Sequence, residues 1–156
     1  MSNPSWDEYF IRLAEQVSTK SNDRSTKVGA VIVGPRNEVR STGYNNFPAG
    51  VKDGVEERYK RPQKYEWTEH AERNAIFTAA RHGAQVGGCR LYLNFFPLPC
   101  VRCARAIINA GIVEIVGPER QFSGAGEHWE DEFERTIEML DEAGVKRRSV
   151  GVEISS

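Results

Sequence analysis

The sequence predicts a three-layer α/β/α sandwich on a five-stranded mixed sheet, and three observations carry that reading. Val28 to Val33, the turn Gly34-Pro35-Arg36-Asn37 and the run from Glu38 to Tyr44 form the pattern of an antiparallel hairpin. From Cys89 onward, strand-like runs alternate with helical ones. Strands separated in this way pair in parallel through right-handed crossovers that cover both sheet faces. Finally, 156 residues with 39% hydrophobic content suit one domain, 1–156, that buries a core without disulfides or a structural metal.

Trp6, Tyr9, Phe10, Leu13, Ala14 and Val17 recur at three- and four-residue steps behind Asn3 and Pro4, predicting a first helix over residues 4–19. The hairpin follows. Residues 45–68 then turn rich in Gly, Pro, Lys, Arg and Glu without an apolar period, and a loop of that length belongs beside a site. Ala71, Ala75, Ile76, Ala79 and Ala80 define a helix over 70–81 that stops at Gly83. Cys89 to Phe96 reads as a buried strand, Cys100 to Ala110 as a helix ended by Gly111, and Ile112 to Val116 as a short strand. Trp129, Phe133, Ile137, Leu140 and Ala143 mark a last helix, and Val150 to Ile154 a last strand.

Charge is nearly balanced, 21 Lys+Arg against 22 Asp+Glu, so no global field attracts polynucleotides or anionic membranes. The stretch 127–142 carries eight acidic residues and one arginine, which argues against nucleic acid on that side. No apolar run approaches the ~20 residues of a membrane helix. An odd number of cysteines, and a start with no basic segment leading into an apolar run, point to a reducing, cytoplasmic setting.

The chemistry is concentrated in His70-Ala71-Glu72 and, thirty residues on, Pro99-Cys100-Val101-Arg102-Cys103. One histidine and two cysteines make three zinc ligands, and a catalytic zinc keeps three protein ligands with the fourth position left to water. His70 and Cys100 fall at predicted helix starts, where backbone amides and the helix dipole favour thiolates. Residues two apart on a helix point about 200° away from each other. His70 and Glu72 therefore converge only if His70 is the cap, with Glu72 as the proton shuttle. Zinc lowers the pKa of its water to about 7, and a neighbouring carboxylate can take that proton and deliver it to a leaving group. The competing reading closes a structural Cys3His site with Cys89.

H-x-E followed by P-C-x-x-C is the pattern of zinc nucleobase deaminases. The chain resembles the cytidine deaminase-like superfamily, and within it the deoxycytidylate (dCMP) deaminases. His70-Ala-Glu-Arg-Asn-Ala-Ile76, Cys103-Ala-Arg-Ala-Ile-Ile-Asn-Ala-Gly-Ile112, Gly43-Tyr-Asn-Asn-Phe-Pro-Ala-Gly50 and Ser25-Thr-Lys-Val-Gly-Ala-Val-Ile-Val33 carry the likeness. The resemblance implies one zinc ion on His70, Cys100 and Cys103, with Glu72 as the acid/base. It also implies the Ala71 amide against the pyrimidine carbonyl and Asn45 on the sugar. Asn45 reads alternatively as a turn residue in left-handed geometry. Homo-oligomers are common in the family.

A substrate phosphate needs Arg, Lys or a helix N-terminus. Arg24 and Lys27 are the side-chain candidates, against a reading as solvated charges, and the 52–64 loop, with Lys52, Arg58, Lys60, Arg61 and Lys64, either closes over a phosphate or is solvated. His82 suits a helix C-terminus. His128 and Trp129 begin the acidic helix as exposed and core residues respectively, with a pocket role the alternative. The segment Asn94-Phe-Phe-Pro-Leu-Pro99 is about two residues longer than the family pattern implied by the resemblance. Phe95 and Phe96 are thus strand core or part of the pocket. The expected reaction is dCMP to dUMP plus ammonia. The alternatives are a free nucleoside or base (cytidine, cytosine, guanine or a modified base), a tRNA-editing deaminase, and a non-catalytic nucleotide sensor, which the intact Glu72 disfavours.

Overall fold

The computed structural model describes residues 2–119 and 127–154, side chains of 127–130 excepted, so His128 and Trp129 lie outside the described side chains. Helix α1 (Trp6–Ser18) begins at Ser5, whose hydroxyl accepts the Glu8 N–H at 3.1 Å. The hairpin β1 (Gly29–Val33) and β2 (Val39–Tyr44) turns through Asn37 at φ 62°. Then come α2 (Lys64–Trp67), α3 (Ala71–His82), β3 (Arg90–Leu93), α4 (Val101–Asn109), β4 (Glu114–Pro118), α5 (Glu127–Glu142) and β5 (Lys146–Val150). Gly83, at φ 73°, takes the left-handed conformation that ends α3.

The sheet runs β2-β1-β3-β4-β5, with β1 antiparallel to both neighbours and β3, β4 and β5 mutually parallel. Both faces are covered, so β1 is buried at every residue and reads as a continuous apolar run. Its alternate residues serve two cores. Val31 and Val33 meet Phe10, Ile11 and Ala14 of α1. Ala30 and Ile32 belong to the other core, with Ala75 of α3, Ala104 and Ile107 of α4 and Leu140 of α5. This is the expected three-layer sandwich.

Three strand boundaries differ from expectation. The last strand is Lys146–Val150, not Val150 to Ile154. An edge strand is commonly charged, which prevents edge-to-edge pairing, and Lys-Arg-Arg-Ser-Val lacks the apolar signature of a strand. Val152 and Ile154 instead pack beside α1. Strand β3 ends at Leu93, short of Phe96, and β4 spans Glu114–Pro118 where Ile112 to Val116 was expected.

The 45–68 segment is tied down at several points. A 3-10 turn at Glu56–Tyr59 and the short α2 interrupt it, and Tyr59 stacks on Phe47 at 4.8 Å. Arg24 grips Glu56 with two 2.6 Å bonds, and Lys64 reaches Asp23 at 3.3 Å.

Helix α3 lies directly on β2. The Ser41 hydroxyl donates to the Ala75 carbonyl at 2.7 Å, and Asn74 Nδ2 donates to the Tyr44 carbonyl at 2.8 Å. A Cβ on Gly43 would stand 2.3 Å from Ala75 N and 2.5 Å from Ala71 O. Gly43→Ala is therefore expected to destabilise the protein by about 1–3 kcal/mol, the usual cost of overpacking. Chemical denaturation of the two proteins measures it.

Across the sheet, Tyr92 donates to Asp7 Oδ1 at 2.6 Å and Arg148 donates to both Asp7 oxygens at 2.8 and 3.1 Å. Arg148 is the main cause of a carboxyl pKa held below the usual value, against the opposing effect of burial. A depressed pKa contributes stability that is present above the unfolded value of ~3.9 and is lost as pH falls through the lower folded value. Asp7→Asn should lower stability near pH 7 by about 1–2 kcal/mol, discounted for partial exposure. The difference in melting temperature should narrow below about pH 4 and close only once pH falls below the lowered folded value.

Candidate active site

The site is built where the first turns of α3 and α4 meet. His70 caps α3 in extended geometry, φ −79° and ψ 153°, and Cys100 caps α4 at φ −66° and ψ 165°. The position before His70 is fixed by a bridge between Asn46 and Glu69, and the Glu69 carboxylate accepts the His70 N–H at 3.0 Å. The amide of Cys103, one turn into α4, points at Cys100 Sγ at 3.5 Å. Glu132 of α5 accepts the Val101 N–H at 3.1 Å, which satisfies another first-turn donor.

His70 Nδ1 stands 3.4 Å from each sulfur, and the three donor atoms all lie within 4.8 Å of one another. Tetrahedral zinc, with bonds near 2.3 Å to sulfur and 2.0–2.1 Å to nitrogen, places such atoms about 3.6 Å apart. The donor set fits zinc in chemistry and spacing. Donors this close perturb one another strongly. The hydrogen bond from Cys103 brings the Cys100 thiol down to about 4, and the bond to Cys100 raises His70 to about 9. Cys103 itself is held above the usual thiol range, as the donor to Cys100 and by burial. Cys89 is not in the group: its sulfur faces the Gln85 and Gly87 carbonyls at 3.9 and 4.0 Å, which removes the closed Cys3His reading.

Glu72, the second residue of α3, is 6% exposed beside this cluster. Burial raises its carboxyl pKa, opposed by the charge of His70 and a hydrogen bond with Cys103. A carboxyl placed beside the donor cluster is in position to take and give a proton, as general acid/base work requires. Ala71, 1% exposed, is the first residue of the helix, and an amide there has no intrahelical acceptor. His70 at the cap thus brings imidazole, amide and carboxylate to one place.

His70, Glu72 and Cys100 open onto a cavity of about 250 Å³, which Ala71 and Cys103 do not line. Phe95, Phe96, Leu98 and Pro99 line it, so the lengthened segment after β3 forms pocket wall, the alternative to a place in the strand. Asn45 also lines it, with its amide engaged: Oδ1 accepts the Val28 N–H and Nδ2 donates to the Thr26 carbonyl, both at 2.8 Å. Its backbone is not left-handed, so the turn reading does not apply. Arg24 and Lys27 do not line this cavity; they border a neighbouring depression of about 490 Å³ that shares Asp23, Thr26 and Phe95 with it. Sequence reasoning missed Asp23, Glu132 and Phe133, and weighed Lys64 only as one of the 52–64 loop charges, closing over a phosphate or solvated. Asp23, Glu132 and Phe133 are remote from the motif in sequence, and only the folded chain brings Asp23, Lys64 and Phe133 together at the cavity.

Glu72→Gln is expected to retain one zinc per chain by elemental analysis, whereas Cys103→Ala should lose most of it, because structural and catalytic zinc sites rely on their full protein ligand set. Equal zinc in both variants would remove Cys103 from the metal site.

Residues 4–117 match the family model of the cytidine and deoxycytidylate deaminase zinc-binding region. An uncharacterized deaminase of the luxG 3' region of Aliivibrio fischeri is 38% identical over 141 residues, 90% of each chain. The deoxycytidylate deaminase of Homo sapiens is 35% identical over 148 residues, 92% of this chain and 78% of the human one. The fold matches the dCMP deaminase of cyanophage S-TIM5, solved with dCMP and dUMP, at TM-score 0.73 and 24% identity over 96% of this chain and 100% of that one. With the His70, Cys100 and Cys103 donor set in place, the chain belongs to the zinc-binding cytidine and deoxycytidylate deaminase family of hydrolases.

Proposed function

We propose that the chain deaminates a pyrimidine nucleotide, converting dCMP and water to dUMP and ammonia. The observation that carries this reading is a buried Glu72 beside three zinc donors in a small cavity with an apolar wall. Relatives that are deoxycytidylate deaminases, at 35–39% identity, support the choice of substrate. Zinc held by His70, Cys100 and Cys103 supplies acidification of a water, to a pKa of about 7. Glu72 takes one water proton and passes it to N3 as the C4–O bond forms and the C4=N3 double bond opens; it then carries the remaining hydroxyl proton to the amino group, so that the product C4=O forms as the C4–N bond breaks and ammonia leaves. The Ala71 amide meets the pyrimidine carbonyl. Phe95 and Phe96 keep bulk water from the base, and the free amide hydrogen of Asn45 is left for the sugar. Arg24 and Lys27 face the phosphate's side from the adjoining depression without entering the cavity. The reading carries with it a reducing cytoplasmic compartment, in which both cysteine ligands stay reduced, and a homo-oligomer of the kind the family resemblance implies.

A free nucleoside is the second reading, and two observations favour it: Arg24 is already held by Glu56, and the Asp23 carboxylate lines the cavity. Ammonia release from dCMP and deoxycytidine, measured side by side on zinc-loaded protein with Glu72→Ala as blank, separates the two. Turnover of dCMP in preference to deoxycytidine is expected. Turnover of deoxycytidine alone would replace the first reading with the second.

A further inference from the structure

We infer that Lys64 is the residue that selects for the substrate's phosphate, an inference that rests on the nucleotide reading above. Among the described residues, Lys64 is the only lysine or arginine that lines the cavity holding His70, Glu72 and Cys100. Its side chain is 13% exposed, against 58% for Arg24, which stands outside that cavity with both guanidinium arms on Glu56. A lysine ammonium has three donors. One reaches Asp23 Oδ2 at 3.3 Å, and no other described residue accepts a hydrogen bond from it. The remaining donors are available to a phosphate oxygen.

Asp23 holds this cation in place. Its Oδ1 accepts the N–H groups of Ser25 and Thr26 at 2.8 and 2.9 Å, which locks the carboxylate before Lys64 meets it. The ammonium is therefore positioned before a ligand arrives, and a preorganised group loses less freedom on binding. The pair is neutral as it stands, so a nucleoside meets little net charge. A phosphate gains a charge-assisted bond to a partly desolvated donor, where such bonds are strongest.

The test is calorimetric binding of dCMP and deoxycytidine to zinc-loaded protein in a Glu72→Ala background, with and without Lys64→Met. Loss of one hydrogen bond between charged groups should weaken dCMP binding roughly 10- to 100-fold and leave deoxycytidine within about twofold. Equal losses for both ligands, no loss, or no binding of dCMP to the background protein would overturn the assignment. Because Lys64→Met leaves Asp23 unpaired, the same measurement on Asp23→Asn/Lys64→Met controls for that charge. The dCMP-selective loss should persist there; recovered dCMP affinity would trace the effect to Asp23 and overturn it. A selective loss in Arg24→Met that is absent in Lys64→Met would hand the phosphate to Arg24. Parallel turnover assays separate the two failures. Wild-type protein that turns over deoxycytidine but not dCMP overturns the nucleotide reading itself, whereas dCMP turnover unaffected by Lys64→Met overturns this inference alone.

Discussion

The His70 imidazole lies within 3.4 Å of two sulfurs on another helix, and holding it there constrains much of the surrounding fold. Two helix N-termini must stop at one point, each with a non-helical cap residue. Helix α3 achieves this by lying on β2 without a side chain at Gly43 to hold it off, and the Ser41–Ala75 and Asn74–Tyr44 hydrogen bonds pin adjacent residues of the helix to the same strand. Helix α4 is fixed from the other side, where Glu132 of α5 takes a first-turn amide. The parallel arrangement of β3 and β4 places α4 between them in sequence and on the same sheet face as α3.

Around that point the charged groups act on one another at close range. Glu72 is desolvated, which raises its proton affinity, while the neighbouring imidazole limits the rise. Asp23 and Lys64 neutralise each other at the cavity wall. Much of the remaining lining is apolar, so the few polar groups act in a medium where their interactions are stronger than in water.

Most of the architecture was legible in the sequence because the helices are amphipathic and the inner strands are continuous apolar runs. The metal donors and Glu72 were legible because their spacing is local to two helix starts. The edge strand β5 was not: its Lys146-Arg-Arg-Ser149 is suited to solvent, and the apolar Val152 and Ile154 beyond it pack on α1 without joining the sheet. Nor were Asp23 and Lys64 legible as a pair. They are 41 residues apart, and each alone reads as surface charge. Phe95 and Phe96 had the composition of a strand, yet β3 ends at Leu93 and leaves them to the cavity.

Asn45 and Asn94 grip the same short stretch of chain from two sides. Asn45 takes the Thr26 carbonyl and the Val28 N–H; Asn94 takes the Lys27 carbonyl at 3.1 Å and the Gly29 N–H at 2.9 Å. Side-chain amides thus extend the hydrogen-bonding pattern of the sheet by about one residue pair beyond the end of β1. The backbone there is anchored by its neighbours, independently of the side chains at 26 and 27. Those positions border the cavity and its adjoining depression. The fold therefore offers a rim whose side chains can be exchanged by mutation while the frame beneath stays put, a separation of stability from selectivity that would let related chains diverge in substrate.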